Sequence, residues 1–156
     1  MDNKGFTLAE MVAVIAILMV LALLSTPFVK GYIDDAYNGK AQTFLRQFNE
    51  ARMNFEKDYP GTTVTGTISS DDVPDCNIEN IYGQTGLSVS PSFLLGCKYL
   101  HYPTELNGRY TFSVGGECSV CSESAVSMIG GDNSGIYQGK CACIDSLGRI
   151  YRESTD

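Results

Sequence analysis

Hydrophobic and polar positions divide the first sixty residues into two regimes. From Met11 to Val29 no residue is charged, and Ser25 and Thr26 are the only polar side chains in 19 positions. A run of that length falls inside the ~17–25 residues a spanning helix needs. After Lys30 the pattern changes. Apolar or aromatic residues recur at Ile33, Tyr37, Ala41, Phe44, Phe48, Ala51, Phe55 and Tyr59, in steps of three and four. That is a helical stripe. Asp34, Asp35, Lys40, Arg46, Gln47, Asn49, Glu50, Lys57 and Asp58 are assigned to the other faces. Pro60-Gly61 closes the pattern. One helix of about 54 residues, ~80 Å long at 1.5 Å per residue, is expected from Phe6 to Tyr59. Pro27, Gly31 and Gly39 are expected to bend or loosen it. The first half, apolar all round, calls for lipid or other helices. The second half calls for a globular domain to lean on.

Beyond residue 60 the periodicity shortens. Thr62 to Ser69 is Thr-rich and β-prone, and Asp71 to Ser90 reads as loop. Ser90-Pro91 opens a short helix through Leu95. Asn107-Gly108 turns the chain into a strand at Tyr110–Val114. Further strands are expected at Ser124–Ile129, Ile136–Ile144 and Arg149–Arg152, with Asp145–Gly148 as the last hairpin turn. An antiparallel meander results.

Composition narrows the function. The chain has 156 residues, a formal charge of −7 and no basic cluster. Nucleic acid is therefore not an expected partner, because phosphate contacts need grouped Lys and Arg. A cleaved secretory signal fits poorly. Its apolar core is usually ~7–15 residues and ends at a small-x-small site, which Leu23–Pro27 does not offer. Lys4 before the run and acids after it orient the start toward the cytoplasm.

Glu10 is the one acid at the head of the apolar run. A carboxylate in mid-bilayer costs roughly 2.5–3.5 kcal/mol, and less at the interface. At the headgroup level it also meets the positive end of the helix dipole. The alternative is that Glu10 awaits a cation. No Lys, Arg or His follows before Lys30, so only a free amino terminus could supply one. Lys4-Gly5-Phe6-Thr7-Leu8-Ala9-Glu10, followed by the apolar helix, resembles the amino-terminal signature of type IV pilins and the pilin-like subunits of type II secretion systems. Ala9 departs from the bulkier aliphatic usual there. The resemblance covers about residues 1–60. It implies cutting between Gly5 and Phe6 by a prepilin peptidase, N-methylation of Phe6, and an assembly role for Glu10. Pro27 matches the family's helix-kinking proline.

The implied fold class is α+β and pilin-like, one long helix against a small antiparallel sheet. The implied organisation is a leader at 1–5, a membrane and filament-core half-helix at 6–29, an amphipathic half-helix at 30–59, and a Cys-rich globular β domain at 60–156. The implied partners are further copies of the chain, the peptidase, an inner-membrane assembly platform, and the membrane itself before assembly. The implied location is the bacterial inner membrane, then an extracellular or periplasmic filament. A pilus subunit and a secretion pseudopilin share this start. A membrane-anchored ectodomain that is never cut is the reading from another class.

Six cysteines follow residue 75: Cys76, Cys97, Cys118, Cys121, Cys141 and Cys143. In an exported domain an even count implies disulfides, and fifteen connectivities are possible. Cys141 and Cys143 share one face of a strand. The expected pattern joins them to the Cys118–Cys121 loop and leaves Cys76 with Cys97. C-x-x-C followed by C-x-C could instead offer four thiolates to a metal, or redox chemistry, a thiol or metal enzyme being the third class. Asp71, Asp72 and Asp75, or Asp132 and Asn133, could hold calcium, but no EF-hand spacing is present. His101 stands alone as a packing or surface residue. No G-x-S-x-G, H-E-x-x-H or phosphate loop occurs. A non-enzymatic chain with no cofactor and no metal is expected.

Overall fold

The structure, a computed structural model, describes residues 7–81, 83–115, 118–121 and 125–153, at positions 26, 27 and 80 by the backbone alone. A single helix, α1, runs over Leu8–Asp58. At 1.5 Å per residue its 51 residues extend ~77 Å. It runs on through Pro27, which has no N–H to donate, and through Gly31 and Gly39. It stops where Tyr59 donates its N–H to Phe55 O at 2.9 Å. Gly61 follows with φ of 95°, a left-handed conformation that glycine adopts without strain.

Among the described residues, seven short strands and a second helix follow. They are β1 (Thr62–Val64), β2 (Gly66–Thr67), β3 (Leu87–Val89), α2 (Ser92–Gly96), β4 (Tyr110–Val114), β5 (Val126–Gly130), β6 (Cys141–Ile144) and β7 (Ile150–Arg152). The main sheet has the order β2-β4-β5-β6-β7, antiparallel throughout. The long helix packed with a small antiparallel sheet makes the fold α+β and pilin-like.

The sheet lays one face on α1. Tyr110, Phe112 and Val114 alternate inward along β4, and Phe112, Met128 and Ala142 line up across three strands. Ala41, Phe44, Leu45, Phe48, Ala51 and Phe55 meet them from the helix. Phe44 sits edge-on to Phe112 at a centroid distance of 4.7 Å and to Tyr102 at 5.2 Å. Phe55 does the same to Tyr99 at 5.4 Å. Edge-to-face pairs contribute about 0.5–1.5 kcal/mol each beyond their buried area.

Several expectations need correction. Asp71–Ser90 is not all loop, for Leu87–Val89 pairs in parallel with Thr62–Val64. Three-residue strands are too short to show a period of two, and their partner lies more than twenty residues away. Ile136–Lys140 is not strand. Gly135–Tyr137 is a single 3-10 turn and β6 starts at Cys141. Gln138 N–H donates to Gly135 O and Lys140 N–H to Tyr137 O, so these donors close turns, and the segment meets β5 only where Gly139 N–H donates to Gly130 O and Gly130 N–H to Lys140 O. The strand expected from Ser124 is β5, which begins at Val126, and Ser124 lies outside the described residues.

The helix buries a wider face than its apolar stripe. Asp34, Asn38, Asn49 and Arg52 are buried, although the pattern placed Asp34 and Asn49 outward. Ile33, inside the stripe, is exposed. Asp34 is covered because the 135–137 turn rests on it. Ile136 donates its N–H to Asp34 Oδ2 at 3.4 Å, and the Tyr137 hydroxyl donates to Asp35 Oδ1 at 2.6 Å. That hydrogen bond, with partial burial, raises the Tyr137 hydroxyl above its ordinary pKa. Gly135 has φ of 64°, and a Cβ there would run into the Asp34 carboxylate.

Candidate assembly interface at the head of the long helix

Thr7 caps α1. Its φ of −78° and ψ of 151° are extended, and its Oγ1 accepts the Glu10 N–H at 3.3 Å. Glu10 Oε2 reaches back to accept the Thr7 N–H at 2.8 Å and the Thr7 hydroxyl at 2.9 Å. This is a capping box, two otherwise unsatisfied donors served reciprocally. The sequence held the signal in Thr7-Leu8-Ala9-Glu10, a threonine and a glutamate at the required spacing.

Beyond the cap the helix is bare. Leu8, Met11, Ile17, Leu18, Met19, Leu21, Leu24 and Phe28 are all exposed, Leu8 at 83% and Phe28 at 72%. This stretch is long and apolar enough to cross a membrane by length and composition, and none of that window is buried inside the chain's own fold. A monomer that left so much apolar surface in water would lose roughly 25 cal/mol for every Å². The surface therefore needs lipid or partner helices.

Gly5 and Phe6, the expected cleavage and methylation positions, lie outside the described residues. Pro27 lies within α1. Glu10 is exposed, and its partner among the described residues is Thr7 of its own chain.

The cysteines sit elsewhere, on the globular part. Cys76 joins Cys97, Cys118 joins Cys141, and Cys121 joins Cys143. The last two pin the 118–121 loop to the outer face of β6. Ala142 and Ile144 of that strand face the helix core, so both faces of β6 are buried. Ser127 is wholly buried beside Cys143 in the register and exchanges a hydroxyl hydrogen bond with Ser113 at 2.9 Å. The sulfurs of Cys118, Cys121 and Cys141 lie within 4.8 Å of one another, the grouping that the thiolate-metal reading anticipated, and here they are bonded in bridges. His101, Asp71, Asp72, Asp75, Asp132 and Asn133 are exposed on the surface. Asp132 accepts from Gln138 Nε2 at 2.9 Å.

At the β6–β7 hairpin, Asp145 Oδ1 accepts the N–H of Leu147 and of Arg149, each at 2.9 Å, and Oδ2 pairs with Arg149 Nε at 2.8 Å. The Arg149 backbone bond, with the guanidinium beside it, holds this carboxyl below the ordinary aspartate range. These bonds close the turn expected at Asp145–Gly148.

The architecture is pilin-like: an exposed apolar half-helix headed by one acid, a half-helix buried along one face, and a disulfide-stapled sheet. The match to known families is more specific. The family model of the prokaryotic N-terminal methylation motif matches residues 1–26, and the chain thus carries the type IV pilin and pseudopilin signature. That signature is one of structural subunits, processed by a prepilin peptidase and polymerised into filaments. With the apolar helix it fits anchoring in the inner membrane before assembly. No curated protein and no solved structure matches the chain.

Proposed function

We propose that the chain is the structural subunit of a type IV pilus-like filament, polymerising through α1 after a cut between Gly5 and Phe6. The observation that carries this is the uncovered apolar half of α1 with one acid at its head. The cut leaves Phe6 as a new amino terminus, N-methylated and still protonated, one helical turn from Glu10. In a bundle of staggered helices the amine of an incoming subunit reaches the Glu10 of one already placed. Coulomb attraction in that low dielectric is several-fold stronger than in water, while an unpaired acid there is penalised. Glu10 is thereby a register device, a well-attested use of a buried polar group. Packing of the apolar helices supplies the rest. Before assembly the Thr7 cap gives the same carboxylate local partners, so the waiting subunit has its acid hydrogen-bonded. Peptidase, inner-membrane platform and further copies of the chain are the partners, and the filament lies outside the inner membrane. A secretion pseudopilin would share every step.

Intact mass is the first test. Loss of Met1–Gly5 plus a methyl group is expected, and an intact start would leave an unpolymerised anchored ectodomain. The second test separates charge from capping. Glu10→Gln keeps the side-chain acceptor that serves Thr7 N–H and loses only the charge. It is expected to be processed, stay in the membrane and yield no filaments by electron microscopy of sheared surface material. Normal filaments from Glu10→Gln would overturn the role given to Glu10.

A further inference from the structure

Four of the six cysteines form one cluster rather than two separate bridges. Cys121 N–H donates to Cys118 O at 3.0 Å, so a turn holds these two together. Cys141 and Cys143 share a face of β6 opposite that turn. The sulfurs of Cys118, Cys121 and Cys141 all lie within 4.8 Å of one another. The Cys121 sulfur, bonded in one bridge, is therefore a neighbour of both sulfurs of the other. Access is unequal. Cys118, Cys141 and Cys143 are 6%, 7% and 2% exposed, whereas Cys121 is half-buried. A pocket of about 220 Å³, lined by Val120, Cys121, Ala125, Cys143, Asp145 and Tyr151, opens onto the Cys121–Cys143 bridge. Cys76–Cys97 belongs to no such group among the described residues.

We propose that this cluster is a thiol-exchange site, entered by small thiols at Cys121 and resolved by moving a bridge within the cluster. Exchange goes by attack of a thiolate on a disulfide sulfur, and access decides which sulfur is struck. A small thiolate in the pocket attacks Cys121 Sγ. The bond to Cys143 breaks, a mixed disulfide forms on Cys121, and Cys143 Sγ leaves with the electron pair and takes up a proton. A second small thiolate attacks the external sulfur of that mixed disulfide. The external disulfide departs and Cys121 is left as a thiolate. Two small thiolates have then been oxidised to one disulfide, and one bridge of the protein has gained two electrons and one proton, Cys121 still being a thiolate. The Cys121 thiolate next attacks the Cys118–Cys141 bridge at either sulfur and expels the other as a thiolate, which is protonated. No electrons are gained or lost in that step. The remaining bridge has moved to Cys121–Cys118 or Cys121–Cys141, and the thiols have moved to more buried positions. Burial favours a neutral thiol over a thiolate, so the expelled sulfur, once protonated, is a poor nucleophile for the reverse step.

The test uses the full chain in detergent with a limiting amount of 2-mercaptoethanol. The sample is quenched in acid, alkylated, digested and mapped by mass spectrometry. Cluster species with two alkylated thiols are expected to carry Cys118–Cys121 or Cys121–Cys141, at or above the level of Cys118–Cys141. Cys76 and Cys97 are expected to be alkylated together or not at all. The proposal is overturned if such species are labelled at Cys121 and Cys143 alone, with Cys118–Cys141 intact. It is equally overturned if Cys76 or Cys97 appears bonded to a cluster cysteine, since that marks scrambling in an unfolded chain. Cys143→Ala frees Cys121 directly and should show the moved bridge with no reductant added.

Discussion

The two halves of α1 are made by one uninterrupted helix yet live in different surroundings. Around Leu18 every large side chain is open, while around Phe44 and Phe48 exposure falls to 1% or less. The helical backbone is the same in both. What differs is the sequence face. The first half is apolar on all sides, so no single protein surface could satisfy it. The second half offers a bounded apolar face that one small sheet can cover. A helix can thus belong to two media at once, provided its composition changes where the medium does.

Truncation should separate the halves most strongly. Phe44→Ala removes a ring packed against Phe112 and Tyr102 and is expected to cost about 3–5 kcal/mol. Leu18→Ala, in the open half, should change the stability of the globular part by less than ~0.5 kcal/mol. Denaturant melting of the two variants in detergent checks this, and equal losses would erase the distinction drawn here. A smaller effect is expected where the sheet domain first grips the helix. Gly135→Ala must adopt a left-handed backbone and push on the buried Asp34 carboxylate. A loss on the order of 2 kcal/mol is expected, readable as a lower thermal midpoint.

The subtlest effect is alkaline. Burial of Tyr110 between sheet and helix pushes its hydroxyl up to about 12. A folded value above the unfolded one of 10.0 means that the folded state prefers the neutral phenol. That contribution is fully present below pH 10 and is lost as pH rises toward 12. Stability should fall over this window, and Tyr110→Phe should flatten the fall. An unchanged slope in that variant would place Tyr110 outside the buried region.

Much of this was legible in the chain. Met11–Val29 announced the open half by lacking charge, and Ala41–Phe55 announced the covered half by steps of three and four. Tyr110–Val114 was read to the residue because alternation and the Asn107-Gly108 turn agreed. What escaped depended on distant partners. Asp34 is polar by composition, and only the 135–137 turn, a hundred residues on, buries it. Leu87–Val89 becomes a strand because Thr62–Val64 lies beside it. The capping box at Thr7 and Glu10, by contrast, is local, and the spacing Thr7-Leu8-Ala9-Glu10 carries its signal.

The three bridges also bear on what happens under tension. If the ends of the chain are pulled apart, the segments 76–97 and 118–143 cannot pay out their contour, because Cys76–Cys97 ties the first at its borders and the overlapping bridges Cys118–Cys141 and Cys121–Cys143 close the second. Extension must come from the remaining stretches, and the covalent knots would shorten the stroke before the backbone is taut.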